Sequence, residues 1–352
     1  MNDIYYFIIF FFITFLVSFF ENKFFLKKSI KINFRKSNIS AVRWETQTKP
    51  IFGGITFYSI FLLTITYYFF FVSSSMSTSN IVTIVVITIA FFMGLADDLL
   101  NTSPHFKFLF QLLIATILVY FGIYINITQY IYLNYFITYF WVIGIMNSIN
   151  MLDNMDAISS SISISILIGV VLNIILSDNA SIFEILITIA TIASLSSYLI
   201  FNWHPSKLYM GDNGSQFLGA VLAILGIMFF WNYNNSFIHT ISLSKQLLIT
   251  IIAFIIPITD TTSVTINRLL KKKSPFIGGK DHTTHHLSYL GFSDQKVAII
   301  LMLLSFLSVL ISIYIANYII IWEPIHIVIY SFYAFVIFIT LYSITRISKP
   351  NN

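Results

Sequence analysis

Eleven apolar runs dominate this chain, each near the ~17–25 residues a helix needs to cross a bilayer core. They fall at roughly 4–20, 54–72, 81–96, 108–125, 130–146, 158–176, 183–201, 215–231, 246–262, 298–320 and 325–344. Backbone polar groups in hydrocarbon must be satisfied within the segment or a closed barrel, and uninterrupted runs of this length read as helices. Charged residues make up 9% of the 352, against about 25% in an average soluble chain, which excludes a water-soluble globular fold. The expected fold is all-α: a polytopic integral membrane protein of about eleven transmembrane helices, with residues 1–352 forming one membrane-embedded domain. Met1 to Phe20 lacks a basic start and a small-residue cleavage site, so it reads as the first span rather than a cleaved leader.

The basic residues set the orientation. With the N-terminus outside and the C-terminus cytoplasmic, one inner loop holds Lys23, Lys27, Lys28, Lys31, Arg35, Lys36, Arg43 and Lys49. Later inner segments hold Lys107, Lys207, Arg268, Lys271, Lys272, Lys273, Lys280, Lys296, Arg346 and Lys349. That places 18 of the 19 Lys and Arg on one side, with Lys245 outside, as the positive-inside rule requires. Trp44 and Trp203 fall near the inner interface, Trp231 and Trp322 near the outer one. There is no cysteine, hence no disulfide framework or thiolate metal site.

The polar residues gather on the same inner side. Asp97 and Asp98 close the third span, at a helix C-terminus where the dipole disfavours negative charge. A cation would relieve both that field and their mutual repulsion, and oxygen ligands suit a hard ion such as Mg²⁺. Asn147, Asn150, Asp153, Asn154 and Asp156 crowd the start of the sixth span, more than one N-cap requires. Gly211-Asp212-Asn213-Gly214 opens the eighth, where glycines let backbone N–H groups approach an anion. The long loop Arg268 to Lys296 carries Lys280-Asp281-His282-Thr-Thr-His285-His286. Its histidines share one face if helical. A zinc site is weighed there, but with Arg268 and Lys280 nearby the group better suits phosphate oxygens. Lys49-Pro50-Ile-Phe-Gly53-Gly54 sets a lysine beside a glycine turn. Acidic metal ligands, softened helix starts and cationic donors are the parts of a phosphoryl-exchange site, and the apolar body points to a lipid substrate.

At these clusters, in order from Lys49-Pro50 to the histidine loop, the sequence resembles the polyprenyl-phosphate N-acetylhexosamine-1-phosphate transferase family (glycosyltransferase family 4), and within it the N-acetylglucosamine-1-phosphate branch. The resemblance implies a reaction in which a UDP-N-acetylhexosamine and undecaprenyl phosphate give the undecaprenyl-diphospho-sugar and UMP. It implies Mg²⁺, with Mn²⁺ as a substitute, and a site on the cytoplasmic face of the bacterial inner (plasma) membrane. Asp97, Asp98 and Asp212 match the family's catalytic positions, with Asp98 and Asp212 as the metal ligands. Lys49, Asn150, Asp153, Asp156, Arg268, His282, His285 and His286 fall at substrate-binding positions. The implied partners are undecaprenyl phosphate, the UDP-sugar, membrane lipids and a second copy of the chain, with no nucleic acid. Two departures stand out: Asn154 and Ala157 replace the glycines of Asp-Gly-x-Asp-Gly-Leu, and the histidine loop reads Asp-His-Thr-Thr-His-His. The latter favours enzymes that start O-antigen, teichoic-acid or capsule-type glycans over the UDP-MurNAc-pentapeptide transferase, which is the alternative. From another class, a secondary transporter with a broken helix near Pro257 to Asp260 is the rival.

Overall fold

The computed structural model describes residues 2–31, 49–177, 181–233, 242–275 and 278–348. Arg35, Lys36, Arg43, Trp44 and Lys349, used above for orientation, lie outside the described residues. The apolar runs are helical: α1 (Asn2–Lys31), α2 (Gly53–Tyr67, extended by a π-helical turn to Val72), α3 (Thr78–Leu100), α4 (Pro104–Tyr120), α5 (Ile131–Leu152), α6 (Ile158–Ser177), α7 (Ile182–Asn202), α8 (Gly211–Gly226, with a π-helical turn to Trp231), α9 (Leu243–Ala253) and α10 (Ile255–Leu270), α12 (Asp294–Tyr318) and α13 (Pro324–Ile347), with a short α11 (Thr283–Tyr289) in the loop before α12. Among the described residues, nine helices are long and apolar enough to span a bilayer. α9 and α10, which meet at an 81° bend, form either a broken tenth span or a re-entrant pair. α4, at 17 residues, is apolar but shorter than these spans.

Local chemistry sets the helix ends. Ser77 and Ser103 accept hydrogen bonds from Asn80 N (3.1 Å) and Phe106 N (3.3 Å), as N-caps do, and Pro104 opens α4 where its missing N–H costs nothing. Asn101 closes α3 in the left-handed conformation at φ 52°, which asparagine tolerates. Burial separates the centre from the rim. The span of α8 is 94% buried, whereas the spans of α1 and α13 are 17% and 11% buried and present Phe, Ile and Leu outward to lipid.

Successive passes alternate in direction. The C-terminal ends of α3, α5, α7 and α10 therefore lie at the same end of the bundle as the N-terminal ends of α4, α6, α8 and α12. Every acidic cluster read from the sequence sits at that end. The segment before α2 seats itself against the segment before α8: Tyr209 N donates to Pro50 O (2.9 Å), Gly53 N to Tyr209 O (3.1 Å) and Gly54 N to Met210 O (3.0 Å). A side chain at Gly54 would collide with the backbone of Gly214.

Candidate active site

The site is built on the first turn of α8. Gly211 precedes Asp212 at φ 75°, and a Cβ there would strike Ile51 at 2.1 Å, so only glycine lets the chain turn this close to the pre-α2 segment. Asp98, from the last turn of α3, then holds the new helix. Its two carboxylate oxygens accept hydrogen bonds from the backbone N–H groups of Asp212 (3.0 Å) and Asn213 (2.9 Å). A carboxylate at a helix N-terminus satisfies otherwise orphaned donors and favours the dipole. The end of one helix, unfavourable for an acid, is thereby paired with the start of another, where an acid belongs.

Asp212 stands beside Asp97, and Lys107 from α4 joins the two. Its ammonium lies 2.6 Å from Asp97 Oδ2 and 3.1 Å from Asp212 Oδ2. Thr102 donates to Asp97 Oδ1 (2.5 Å), and Asn150 at the end of α5 donates to Asp212 Oδ1 (2.5 Å) and to Ser215 Oγ (2.8 Å). Four helices thus converge on one pair of carboxylates. The resemblance pairs Asp98 with Asp212 at a metal; in this geometry Asp97 is the acid that shares a cation with Asp212, while Asp98 fastens the turn that carries it. The chain has itself placed a cation between two oxygen donors, and Mg²⁺ is characteristically held by one or two carboxylates together with substrate phosphates. The donor set fits such an ion.

The other expected residues are distributed around this centre. Asp153 is the half-buried C-cap of α5. Asp156, 6% exposed, points to the loop before α8, where His204 Nδ1 (3.1 Å) and Ser206 N (2.9 Å) meet its carboxylate. Lys49 donates to Ser206 Oγ (3.0 Å) and lies over the Tyr209 ring at 5.2 Å. Ala157 takes the left-handed conformation at φ 66°, with its N–H bonded to Asn202 Oδ1 (2.9 Å). Alanine here stands in place of the family's glycine, held in a backbone region unfavourable to L-residues.

The histidine loop is a second assembly. Asp260 of α10 accepts from Thr283 N (2.8 Å) and Thr283 Oγ1 (2.6 Å) and bonds His282 Nδ1 (2.8 Å). His282 N donates to His285 Nδ1 (3.3 Å), and His286 Nδ1 pairs with Ser348 Oγ (2.7 Å) at the end of α13. Arg268 forms a two-pronged pair with Asp281 (2.8 and 2.6 Å) and also donates to Pro275 O (2.7 Å). Burial would raise the Asp281 carboxyl, but this pair outweighs it and holds the group below its ordinary range. Burial, reinforced by neighbouring His282, pushes His285 down to about 3, and burial also lowers His286. Both rings are therefore neutral near pH 7 and act through hydrogen bonds. They serve different partners, and among the described residues no three His, Cys, Asp or Glu side chains are grouped to hold a metal, so the zinc alternative finds no support there. One contact ties this loop to the centre: Thr284 Oγ1 donates to Asn154 Oδ1 (2.7 Å).

Three participants escape the reading of the sequence as site residues. Lys107 counts there only as a topology charge, though a lysine inside an apolar helix is a signal in itself. Asp260 reads as part of a broken helix, and His204 as one of several inner histidines. Their roles depend on which helices become neighbours.

Comparison with known proteins bears on the same segment. Residues 80–230, which carry Asp97, Asp98, Lys107, Asn150 and Asp212, match the profile described as glycosyl transferase family 4. The chain is 28% identical over 224 residues to a probable undecaprenyl-phosphate N-acetylglucosaminyl 1-phosphate transferase of Bacillus subtilis, covering 61% of this chain and 60% of that protein. It is 35% identical over 108 residues to a phospho-N-acetylmuramoyl-pentapeptide-transferase of Streptococcus agalactiae, covering 30% of each. It is 26% identical over 178 residues to the protein of that name from Carboxydothermus hydrogenoformans, covering 50% of this chain and 49% of the relative. The aligned stretches thus span 60% of the length of the first relative and half or less of the other two. The likeness to glycosyl transferase family 4 is carried by the central segment, residues 80–230.

Proposed function

We propose that this chain, acting as one membrane-embedded unit, transfers a sugar-1-phosphate from a UDP-N-acetylhexosamine to undecaprenyl phosphate, releasing UMP. The step would occur on the cytoplasmic face of a bacterial plasma membrane and would begin a cell-envelope polysaccharide. The observation that carries this reading is the convergence of Asp97, Lys107, Asn150 and Asp212 on one point at the basic end of an apolar bundle. Such a point serves an anionic substrate from the cytoplasm and a phosphate on a lipid from the bilayer.

In the reaction, an oxygen of the lipid phosphate forms a bond to the sugar-bearing phosphorus. The bond from that same phosphorus to the oxygen bridging it to the uridine-bearing phosphate breaks, and its electron pair leaves on that oxygen with UMP. One anhydride is exchanged for another, so the step is readily reversible. Asp97 and Asp212 would hold Mg²⁺ or Mn²⁺, which when bound would screen the meeting anions and ease departure of UMP. Lys107 brings a fixed positive charge to the same oxygens. Asn150 orients Asp212 through its short bond, and Asp98 keeps the first turn of α8 in place. Asp97 is also the group positioned to take the remaining proton of the lipid phosphate. With a second pKa of about 6, that phosphate is already largely dianionic near neutral pH. His282, His285 and His286, with Lys49 and Arg268, would bind the nucleotide sugar.

The test is UMP release by purified protein in detergent with Mg²⁺ and undecaprenyl phosphate, offered UDP-N-acetylglucosamine, UDP-N-acetylgalactosamine and UDP-MurNAc-pentapeptide. Turnover with an unsubstituted N-acetylhexosamine supports the proposal. Turnover with the pentapeptide donor alone assigns the chain to the peptidoglycan reaction instead, and no turnover by folded protein with any donor rejects the transferase reading.

A further inference from the structure

Lys107, Asn150 and Asp212 come from three helices, and each has an amide side chain one helical turn deeper in the bundle. Gln111 lies four residues beyond Lys107 on α4, Gln216 four beyond Asp212 on α8, and Asn147 three before Asn150 on α5. α4 and α8 run away from the charged end and α5 runs towards it, so all three steps lead inward. Spacings of three and four keep each amide on the helix face of its neighbour.

The amides meet one another. Gln111 Nε2 donates to Asn147 Oδ1 (3.2 Å) and to Gln216 Oε1 (3.2 Å), and Asn147 Nδ2 donates back to Gln111 Oε1 (2.9 Å) and to Ile143 O (2.9 Å). Gln111 and Gln216 are 1% and 0% exposed. Buried amides destabilise unless bonded, and a reciprocal amide pair is satisfied at few relative rotations and depths of its two helices. Leucines in the same space would pack in several.

We infer that Gln111, Asn147 and Gln216 form a positioning layer that sets the rotation and depth of α4, α5 and α8, so that Lys107 and Asn150 both reach Asp212. The layer acts through those three residues. Its consequence for turnover rests on the phosphotransferase reading; its consequence for cation binding does not.

The experiment uses the full chain in detergent, with Mn²⁺ alone titrated by electron paramagnetic resonance and UMP release measured in parallel. Gln111→Leu is expected to weaken Mn²⁺ binding and lower kcat by roughly 10–100-fold, the range found when partners behind a metal site are removed. KM for the nucleotide sugar should move by less than about threefold, since the loss falls on the reacting centre. The double variant Gln111→Asn with Asn147→Gln keeps one long and one short amide opposed, and should recover most of both losses. A folded Gln111→Leu protein with unchanged Mn²⁺ affinity and kcat overturns the proposal, as does a double variant no better than the single one. Should Gln111→Leu fail to fold, Gln216→Met removes the Oε1 acceptor, together with a buried Nε2 that has no hydrogen-bond partner, at similar volume, and unchanged Mn²⁺ binding and kcat in that variant are equally fatal. Wild-type protein that binds Mn²⁺ but releases no UMP rejects the transferase reading, while the Mn²⁺ comparison still decides the positioning layer.

Discussion

Substituting Gly54 by alanine probes how the scaffold holds the site. A Cβ at this position would lie 1.7 Å from Asn213 Oδ1, 2.2 Å from Gly214 N and 2.5 Å from Gly214 Cα. The Asn213 amide can rotate away, but the Gly214 backbone is part of α8. Bringing its nitrogen from 2.2 Å to a tolerable 3.0 Å requires α2 and the start of α8 to part by about 0.8 Å. The displaced turn carries Asp212, whose contact with Lys107 is already 3.1 Å, and a shift of that size takes it beyond hydrogen-bonding range. Misplacement on the order of 1 Å costs about 10²-fold in rate, while overpacking costs about 1–3 kcal/mol. Gly54→Ala should therefore remain folded with kcat reduced about a hundredfold. Gly144→Ala is the control: a Cβ there meets nothing within 4 Å, and loss of a helix-interior glycine contributes up to about 1 kcal/mol. UMP release and detergent melting temperature are measured on both variants. Folded Gly54→Ala with kcat within twofold of wild type would refute the idea that the α2–α8 seat sets the position of Asp212.

Other perturbations follow from the same geometry. Asp98→Ala strips two acceptors from the start of α8 and should cost about 0.5–2 kcal/mol, as lost caps do, together with most activity. Asp98→Asn, which keeps one acceptor, should fall between; melting curves and kcat check the order, and an Asn variant worse than Ala reverses the argument. Ala157→Val places a β-branched residue at φ 66° in a buried turn and should destabilise by roughly 2–4 kcal/mol from backbone strain and overpacking. Ala157→Gly should melt at or slightly above wild type, and a valine variant as stable as wild type contradicts the strain. His285, held at about 3 in the folded protein, takes up a proton more readily once unfolded, where its pKa is about 6.5. Its neutral burial is therefore unopposed above pH ~6.5, and stability drains away as pH falls from there towards 3. The difference reaches about 2 kcal/mol at pH 5, so His285→Gln should lose less melting temperature than wild type between pH 7 and pH 5; equal losses argue against it.

The fold was legible because lipid allows so few alternatives. The apolar runs became helices, most ends moving by a few residues, although α1 continues eleven residues past position 20 to Lys31 and α10 eight past position 262 to Leu270. Even the run at 246–262 was located, although its 81° bend after Ala253 left no mark in hydropathy. The clustering of acids at one end was legible for the same reason, since alternate loops must share a side. Pairings within that end were not. Adjacent Asp97 and Asp98 differ only in which way a helix face turns: one meets Lys107 and the other the start of α8. Asp156 and Arg268 read as substrate positions from their place in motifs, which gives no sign of the partners the fold brings to them, His204 and Asp281 respectively. The Pro257 to Asp260 stretch that suggested a transporter lies within α10, past the bend, and its aspartate anchors the histidine loop.

The account depends most on a single charge-bearing point between α3, α4, α5 and α8. Its most direct test is UMP release from UDP-N-acetylglucosamine and undecaprenyl phosphate, with wild type and Asp212→Ala purified side by side in detergent and Mg²⁺ varied. The account predicts metal-dependent turnover by wild type and none above background by an Asp212→Ala protein that melts normally. Turnover by Asp212→Ala at the wild-type rate and with the same Mg²⁺ dependence would place the chemistry elsewhere in the molecule.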